Sequence, residues 1–266
     1  MSRVKVDAEG VIATITLADP DTRNALSSDM MRELRDAFRA VGETESLVVV
    51  LAAEGRVFSA GHNLKEFIDI ELDDAQEIFS LVAELMTTIQ SIPQIVIAKV
   101  QGVAAAGGAQ LAASCDLVVA AETATFSLPG VKVGIFCHTP NVAMTRNIGM
   151  KRAMELAMTG DAISAKKAED WGLINYAVPA EDLDAKVAQL ATAVATSGPA
   201  FARAVGKKIF YQQYDLTQAQ AYELGARVLA SVTVGRDAQE GVKSFAEKRA
   251  PNFVSTPLGY PKNPAA

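Results

Sequence analysis

The sequence is poor in the residues that hold metal ions or build disulfide frameworks. It contains two cysteines, Cys115 and Cys137, and two histidines, His62 and His138. Their spacing matches neither a metal-ligand motif nor a disulfide pattern, so we expect no metal site. Such sparse cysteine usage is typical of a protein from a reducing compartment.

Long apolar runs and excess positive charge are lacking as well. No run of about 18 apolar residues occurs, so no membrane-spanning helix is expected. The first ten residues, MSRVKVDAEG, contain no apolar segment of the secretory type. The net charge of -6 and the pI near 5.1 argue against binding to nucleic acid or anionic membranes through bulk charge. The sequence therefore predicts a cytoplasmic protein with neither kind of partner.

What the chain does contain is enough apolar sequence for a large core, since half of its 266 residues are hydrophobic. Strand and helix patterns alternate up to about residue 120, which favours crossover connections and a mainly parallel sheet. A last short strand is predicted at 125–127, and from residue 139 the pattern is helical except at 173–178. These patterns predict an α/β core followed by an α-helical C-terminal part.

The stretch around which this α/β pattern is organised is 99–120. An apolar strand runs into Gly102, Gly107 and Gly108, and small residues then lead to a second apolar strand. Glycines at the start of a short helix leave backbone N–H groups uncovered, and such a helix end favours an anion or a carbonyl oxygen that becomes an oxyanion. The alternative interpretation is close packing of the backbone.

A second stretch has the same design. The apolar strand 47–53 is followed by a glycine-containing turn and then by Arg56 to Glu66, which includes Gly61 and His62. Two strand ends that each present a free N–H group are what an oxyanion hole with two donors requires.

Four ordered blocks of the chain resemble the crotonase superfamily, which includes the enoyl-CoA hydratases. They are SAGHNLKE, QGVAAAGGAQLAASCDLVVA, TGDAISAKKAEDWGLINYAVP and EGVKSFAEKRAPNF, and the resemblance spans about residues 4–253. It implies a crotonase-like spiral of ββα units over 1–200 and an α-helical trimerisation region over 201–266. It further implies a homotrimer or dimer of trimers, an acyl-CoA thioester as ligand, and no cofactor beyond the coenzyme A of that substrate.

The resemblance also assigns site residues. The amides that hold the thioester oxygen match His62 and Gly107, whereas the family's two catalytic glutamates match Gln110 and Gly130. Glutamine does not titrate and glycine has no side chain, so the enolate-stabilising half of the site is kept and the proton-transfer half is replaced. The implied class is an enoyl-CoA hydratase or isomerase, a lyase-type enzyme of fatty acid metabolism.

Other groups on the same loops are candidates for the missing chemistry. The His62 side chain, Cys137 and His138 can each face the acyl group, although each can equally be a packing or surface residue. Malonyl-type CoA decarboxylases resemble the AGH pattern around His62, but carry tyrosine where this chain has Cys137. Decarboxylation and an acyl-CoA binder without catalysis therefore remain as alternatives. Positions that match the coenzyme A contacts of the family are Arg23, Ala25, Ala60, Gly61, His62, Leu64, Gly107 and Lys248.

Overall fold

The computed structural model describes residues 2–259. The strands are β1 (Val4–Glu9), β2 (Ile12–Leu17), β3 (Val48–Ala53), β4 (Val57–Ser59), β5 (Ile95–Val100), β6 (Val103–Ala105), β7 (Leu117–Ala121), β8 (Thr125–Ser127), β9 (Ile163–Ser164) and β10 (Tyr176–Val178). The α-helices are α1 (Ser28–Gly42), α2 (Leu72–Ser91), α3 (Gly107–Ser114), α4 (His138–Thr159), α5 (Ala165–Trp171), α6 (Leu183–Thr196), α7 (Ala200–Tyr214), α8 (Gln218–Thr233) and α9 (Arg236–Ala246). Short 3-10 helices cover Pro20–Thr22, Leu64–Phe67, Pro129–Val133 and Ala180–Asp182.

The strands form two sheets that the chain visits in turn. The larger sheet has the order β1-β2-β3-β5-β7-β10, and the smaller has the order β4-β6-β8-β9. The hairpin β1–β2 is antiparallel, and the remaining neighbours in the larger sheet are parallel. Each of β3, β5 and β7 is followed by a short strand of the smaller sheet, and α2 and α3 follow two of these pairs. This repetition of ββα units confirms the predicted crotonase-like spiral.

Helix α1 shows how the sequence pattern fixes the packing. The Ser27 side chain accepts a hydrogen bond from the Met30 N–H group (3.1 Å) and so satisfies a free donor of the first turn. Apolar side chains at helical spacing, including Leu34 and Phe38, are completely buried in the main core. On the other face of the larger sheet, α6 packs Leu183 and its neighbours against the strands.

The C-terminal helices are joined to the sheet by a buried ion pair. The Lys207 ammonium of α7 lies 2.7 Å from the Asp116 carboxylate, which directly precedes β7. Tyr211 donates a hydrogen bond of 2.8 Å to the same carboxylate. Helix α7 begins at Ala200, although the division of the chain at residue 200 stays a prediction.

One sequence prediction of local structure was wrong. The pattern predicted no strand after 125–127 other than in 173–178, whereas β9 pairs antiparallel with β8; a strand of only two residues shows no alternating pattern. Helix α4 begins at His138, in agreement with the helical pattern from residue 139, and Gly149 interrupts its helical backbone with φ of 74°. Within the described residues no helix is long and apolar enough to cross a membrane. The part of the predicted region 201–266 from residue 260 onward lies outside the described residues.

Candidate active site

The first element of the site is the start of α3. Ala106 adopts φ of 47° before the helix, and its N–H group donates to the Ser127 carbonyl oxygen (2.9 Å), which ties the turn to β8. Gly107 is the first helical residue, so its N–H group has no partner within the helix. Among the described residues no acceptor for this group is present. The sequence prediction of a free N–H group at Gly107 agrees with this arrangement.

The second element is the loop after β4. Gly61 has φ of 87°, a conformation that favours glycine, and its carbonyl oxygen accepts the Leu26 N–H group (2.8 Å). Leu26 and His62 form an isolated parallel bridge, in which the Asn63 N–H group donates to the Leu26 carbonyl oxygen (3.4 Å). The His62 N–H group has no acceptor in the described part of the chain.

The backbones of the two loops touch, and glycine makes this approach possible. A Cβ atom on Gly61 would lie 2.7 Å from the Ala105 carbonyl oxygen and 3.0 Å from the Gly107 nitrogen. A Cβ atom on Gly108 would lie 2.3 Å from the Ser59 carbonyl oxygen, which no side chain can accommodate without a backbone shift. The contacts agree with the close-packing interpretation of these glycines, and the same packing brings the two N–H groups to neighbouring loops. Their role as oxyanion donors stays a prediction.

The His62 side chain lies among aromatic rings. Its imidazole is 5.8 Å from the ring of Phe67 and 5.8 Å from that of Phe79, measured between centroids. Both ring nitrogens are shielded from solvent, and neither has a hydrogen-bond partner among the described residues. Burial lowers the pKa of the imidazole, and the Leu26 carbonyl and the Glu66 carboxylate oppose that shift only in part.

A cavity of about 760 Å³ opens beside these loops. Its walls are residues within 21–25, 60–67 and 129–140, together with Phe79 and Ala106. Of the described residues that line the cavity, only Asp21 carries a carboxylate. A volume of this size and a mostly apolar lining suit a small-molecule ligand.

Gln110 and Gly130, the positions predicted to match the family's catalytic glutamates, differ in their surroundings. Gln110 is 4% exposed and is not among the cavity-lining residues; its Oε1 accepts a hydrogen bond from the Thr139 hydroxyl (3.3 Å). Gly130 lines the cavity, but a Cβ atom there would lie 2.3 Å from the Ile135 carbonyl oxygen and 2.7 Å from the Cys137 Sγ. The loop at Gly130 is therefore closed against any side chain.

Cys137 and His138 both reach the cavity. Cys137 is buried, and this burial raises the pKa of its thiol, which a hydrogen bond from the Gly130 backbone offsets in part. A neutral thiol is a small apolar group rather than a nucleophile. His138 is exposed and its ring lies 4.9 Å from that of Phe136, edge to face.

The expected coenzyme A positions divide into two groups. Arg23, Ala25, Ala60 and Leu64 line the cavity together with His62. Gly61 and Gly107 do not line the cavity but are the chain neighbours of two lining residues, His62 and Ala106. Lys248 is not part of the lining. All eight assignments stay predictions. No group of three His, Cys, Asp or Glu side chains that could hold a metal ion occurs within residues 2–259.

Sequence reasoning missed several lining residues. Phe67 and Phe79 belong to the cavity through their contact with His62, and Lys132 brings a cation to it while paired with Asp161 (2.7 Å). Lys132 could have been found from the sequence, since it lies with Gly130 in the loop that follows a predicted strand. Phe67 and Phe79 could not, because they are 12 residues apart on separate elements.

The family model of enoyl-CoA hydratase/isomerase matches residues 7–256. The chain belongs to the enoyl-CoA hydratase/isomerase family. The ordered blocks around His62 and Gly107 thus lie inside the matched range, and the resemblance to the crotonase superfamily is confirmed.

Individual relatives agree with this family assignment. Enoyl-CoA hydratase domain-containing protein 3, mitochondrial, from Xenopus laevis is 41% identical over 242 residues, which cover 90% of this chain and 82% of that protein. The crystal structure of an enoyl-CoA hydratase from Mycobacterium smegmatis superposes with a TM-score of 0.92 at 38% identity and covers 95% of this chain and 99% of its own. The crystal structure of human enoyl-CoA hydratase domain-containing protein 3 superposes with a TM-score of 0.91 at 36% identity and covers 95% of this chain and 100% of its own. The name of the Xenopus relative places that protein in mitochondria; the cytoplasmic location of this chain stays a prediction.

Proposed function

We propose that the cavity binds an acyl-CoA thioester and that the N–H groups of His62 and Gly107 together hold its thioester oxygen. The observation that carries the proposal is the pair of unpartnered backbone donors on two loops whose backbones touch beside one cavity. Fixed donors of this kind stabilise the negative charge that the oxygen gains when an enolate forms, and removing one such donor typically costs roughly 3 to 4 kcal/mol of barrier.

Coenzyme A would occupy the rest of the cavity. Arg23 and Lys132 supply positive charge for its phosphates, and Ala25, Ala60 and Leu64 supply small or apolar contacts for its pantetheine arm. We further propose that the chain is a homotrimer or a dimer of trimers. The C-terminal helices expose large apolar side chains in this isolated chain, among them Phe245 (87% exposed) and Tyr222 (72%), as expected of surfaces that further copies cover.

The expected class of reaction is that of the enoyl-CoA hydratases and isomerases, with an altered route for the proton. Neither Gln110 nor Gly130 can exchange one, and the Asp21 carboxylate belongs to the segment that contains Arg23 rather than to the α3 loop. Efficient hydration would therefore need other groups, with the His62 side chain and His138 as candidates.

Decarboxylation of a malonyl-type CoA is the second candidate. Loss of carbon dioxide produces the enolate directly, without a base that removes a proton from carbon. The scarcity of carboxylates along the cavity favours this reaction, since a lining with few negative charges accepts a carboxylated acyl group with little repulsion.

Turnover of crotonyl-CoA and methylmalonyl-CoA, with acyl-CoA binding measured on the same sample, tests the proposal. Hydration or decarboxylation would identify the reaction, and binding with neither would favour an acyl-CoA binder without catalysis. Failure to bind any acyl-CoA would refute the proposal.

The role of the Gly107 donor has its own matched pair of variants. Gly107→Ala and Gly107→Pro both add a Cβ atom near the His62 Nε2 (3.1 Å), but only proline removes the N–H group. Since proline also restricts the residue before it and Ala106 has φ of 47°, urea denaturation of both variants checks that this turn is kept. We expect the proline variant to be slower than the alanine variant by about 10² to 10³. Equal rates would exclude the donor role.

A further inference from the structure

His62 contributes more to the cavity than its backbone N–H group, because its side chain has two polar atoms without partners. Both imidazole nitrogens are shielded from solvent and make no hydrogen bond with the described residues. Buried side-chain nitrogens in folded proteins are nearly always hydrogen-bonded, so an exception calls for an explanation. The ring also lines the cavity, where a ligand can supply the missing partner.

Apolar side chains surround much of the ring, since Phe67 and Phe79 flank it and Leu26 packs beside it next to Gly107. The Leu26 carbonyl is near enough to raise the pKa of the imidazole, but it makes no hydrogen bond with either ring nitrogen and already accepts the Asn63 N–H group (3.4 Å). Glu66 also raises the pKa of the imidazole, but its carboxylate accepts hydrogen bonds from the Ser28 N–H group (3.0 Å) and the Ser28 hydroxyl (2.8 Å). Glu66 therefore acts on the imidazole through its charge and not through a hydrogen bond.

The ring lies next to the proposed thioester site. Its Nε2 is 3.1 Å from the position that a Cβ atom on Gly107 would occupy, and the His62 and Gly107 N–H groups are the two proposed oxygen donors. Half a turn about χ2 exchanges nitrogen and carbon positions on the two edges of the ring without moving the backbone. A ligand held by the two amides thus places the first carbons of its acyl group within reach of the imidazole.

We propose that the His62 imidazole hydrogen-bonds to an oxygen substituent that the acyl group carries close to its thioester carbonyl, so that the cavity selects oxygenated acyl-CoA thioesters over hydrocarbon ones. The proposal rests on the acyl-CoA binding proposed above. A neutral imidazole has one donor and one acceptor, which suit a hydroxyl, keto or carboxyl oxygen. A hydrocarbon acyl group would leave both nitrogens unpaired, and sites built to hydrogen-bond an oxygen reject ligands that lack it.

The test compares affinities for butyryl-CoA, 3-hydroxybutyryl-CoA and malonyl-CoA by calorimetry. It uses the wild-type protein, His62→Phe and, as the matched control, Tyr176→Phe, which removes a polar group from an aromatic ring that does not line the cavity. Phenylalanine at position 62 keeps an aromatic ring and the backbone N–H group, so the two oxygen donors remain. Where a ligand is consumed, kcat/KM replaces affinity.

We expect wild-type protein and Tyr176→Phe to prefer at least one oxygenated ligand over butyryl-CoA by about tenfold or more, and His62→Phe to lose that preference. Which oxygenated ligand is preferred distinguishes a hydroxyl from a carboxylate as the partner. Equal affinities in the wild-type protein, or a preference that survives in His62→Phe, would overturn the inference while acyl-CoA binding stands. Absence of binding for all three ligands would overturn the proposed function as well.

Discussion

Replacing Lys207 by methionine tests whether the buried ion pair between α7 and the sheet is a main support of the fold. The ammonium lies 2.7 Å from the Asp116 carboxylate and donates to the carbonyl oxygens of Ile89 (2.8 Å) and Gln94 (2.7 Å). The two charged side chains are 2% and 10% exposed. Methionine keeps most of the apolar stem but leaves a carboxylate and two carbonyl oxygens without this donor.

The expected loss follows from that arrangement. Removing one partner of a buried pair typically costs about 3 to 5 kcal/mol, because the remaining charge stays desolvated. The Val96 N–H group (2.7 Å) and the Tyr211 hydroxyl (2.8 Å) still bond to Asp116, so we expect the lower half of this range. The free energy of unfolding is measured by urea denaturation at fixed protein concentration, since subunit association would shift the midpoint.

The matched control is Lys208→Met, which removes an exposed ammonium from the same helix. We expect this variant to remain within about 0.5 kcal/mol of the wild-type protein. Combining Lys207→Met with Asp116→Asn should destabilise less than the sum of the single changes, since no unpaired charge remains. If Lys207→Met and Lys208→Met lose the same small amount of stability, the reasoning about the buried pair is wrong.

Three further predictions concern the site. Burial lowers the pKa of His62, so the unfolded chain binds more protons than the folded chain below about pH 6.5 and stability should rise with pH up to that value. His62→Phe should flatten this rise in thermal melts at pH 5 to 7. An unchanged slope would contradict the prediction. Gly108→Ala should destabilise the protein and weaken acyl-CoA binding, because its Cβ atom meets the Ser59 carbonyl oxygen. Gly225→Ala, with open space around it, should leave stability and binding unchanged or slightly improved. Similar unfolding midpoints for the two variants would refute the packing argument. Gly130→Ala should lose more than about 1 kcal/mol in urea denaturation, since its own loop blocks the Cβ atom, and a wild-type midpoint would show that the loop opens freely.

The sequence could predict the two glycine loops because their function and their packing impose the same requirement. Gly61, Gly107 and Gly108 leave N–H groups uncovered and also let two backbones meet, so the residue type is informative on either ground. The hairpin at the start and the caps of α1 were predictable for a similar reason, since the turn residues and apolar periods there are local.

Features that depend on distant residues left no such signal. Lys207 and Asp116 are 91 positions apart and each resembles an ordinary surface charge in sequence. The contact between Gly130 and Cys137 likewise depends on how one loop turns back on itself, which residue type alone does not specify. For this reason the sequence could predict that glycine stands at the position of a family glutamate, but not that the surrounding loop leaves no room for a side chain there.

The closed loop at Gly130 limits what a single substitution can do at this site. A glycine codon and a glutamate codon can differ by a single nucleotide, so one mutation can introduce glutamate at position 130. Its Cβ atom would meet the Ile135 carbonyl oxygen and the Cys137 Sγ, so the loop would have to shift before a carboxylate could reach the cavity. A working acid at this position therefore requires changes at Cys137 and in the turn around it as well as at position 130.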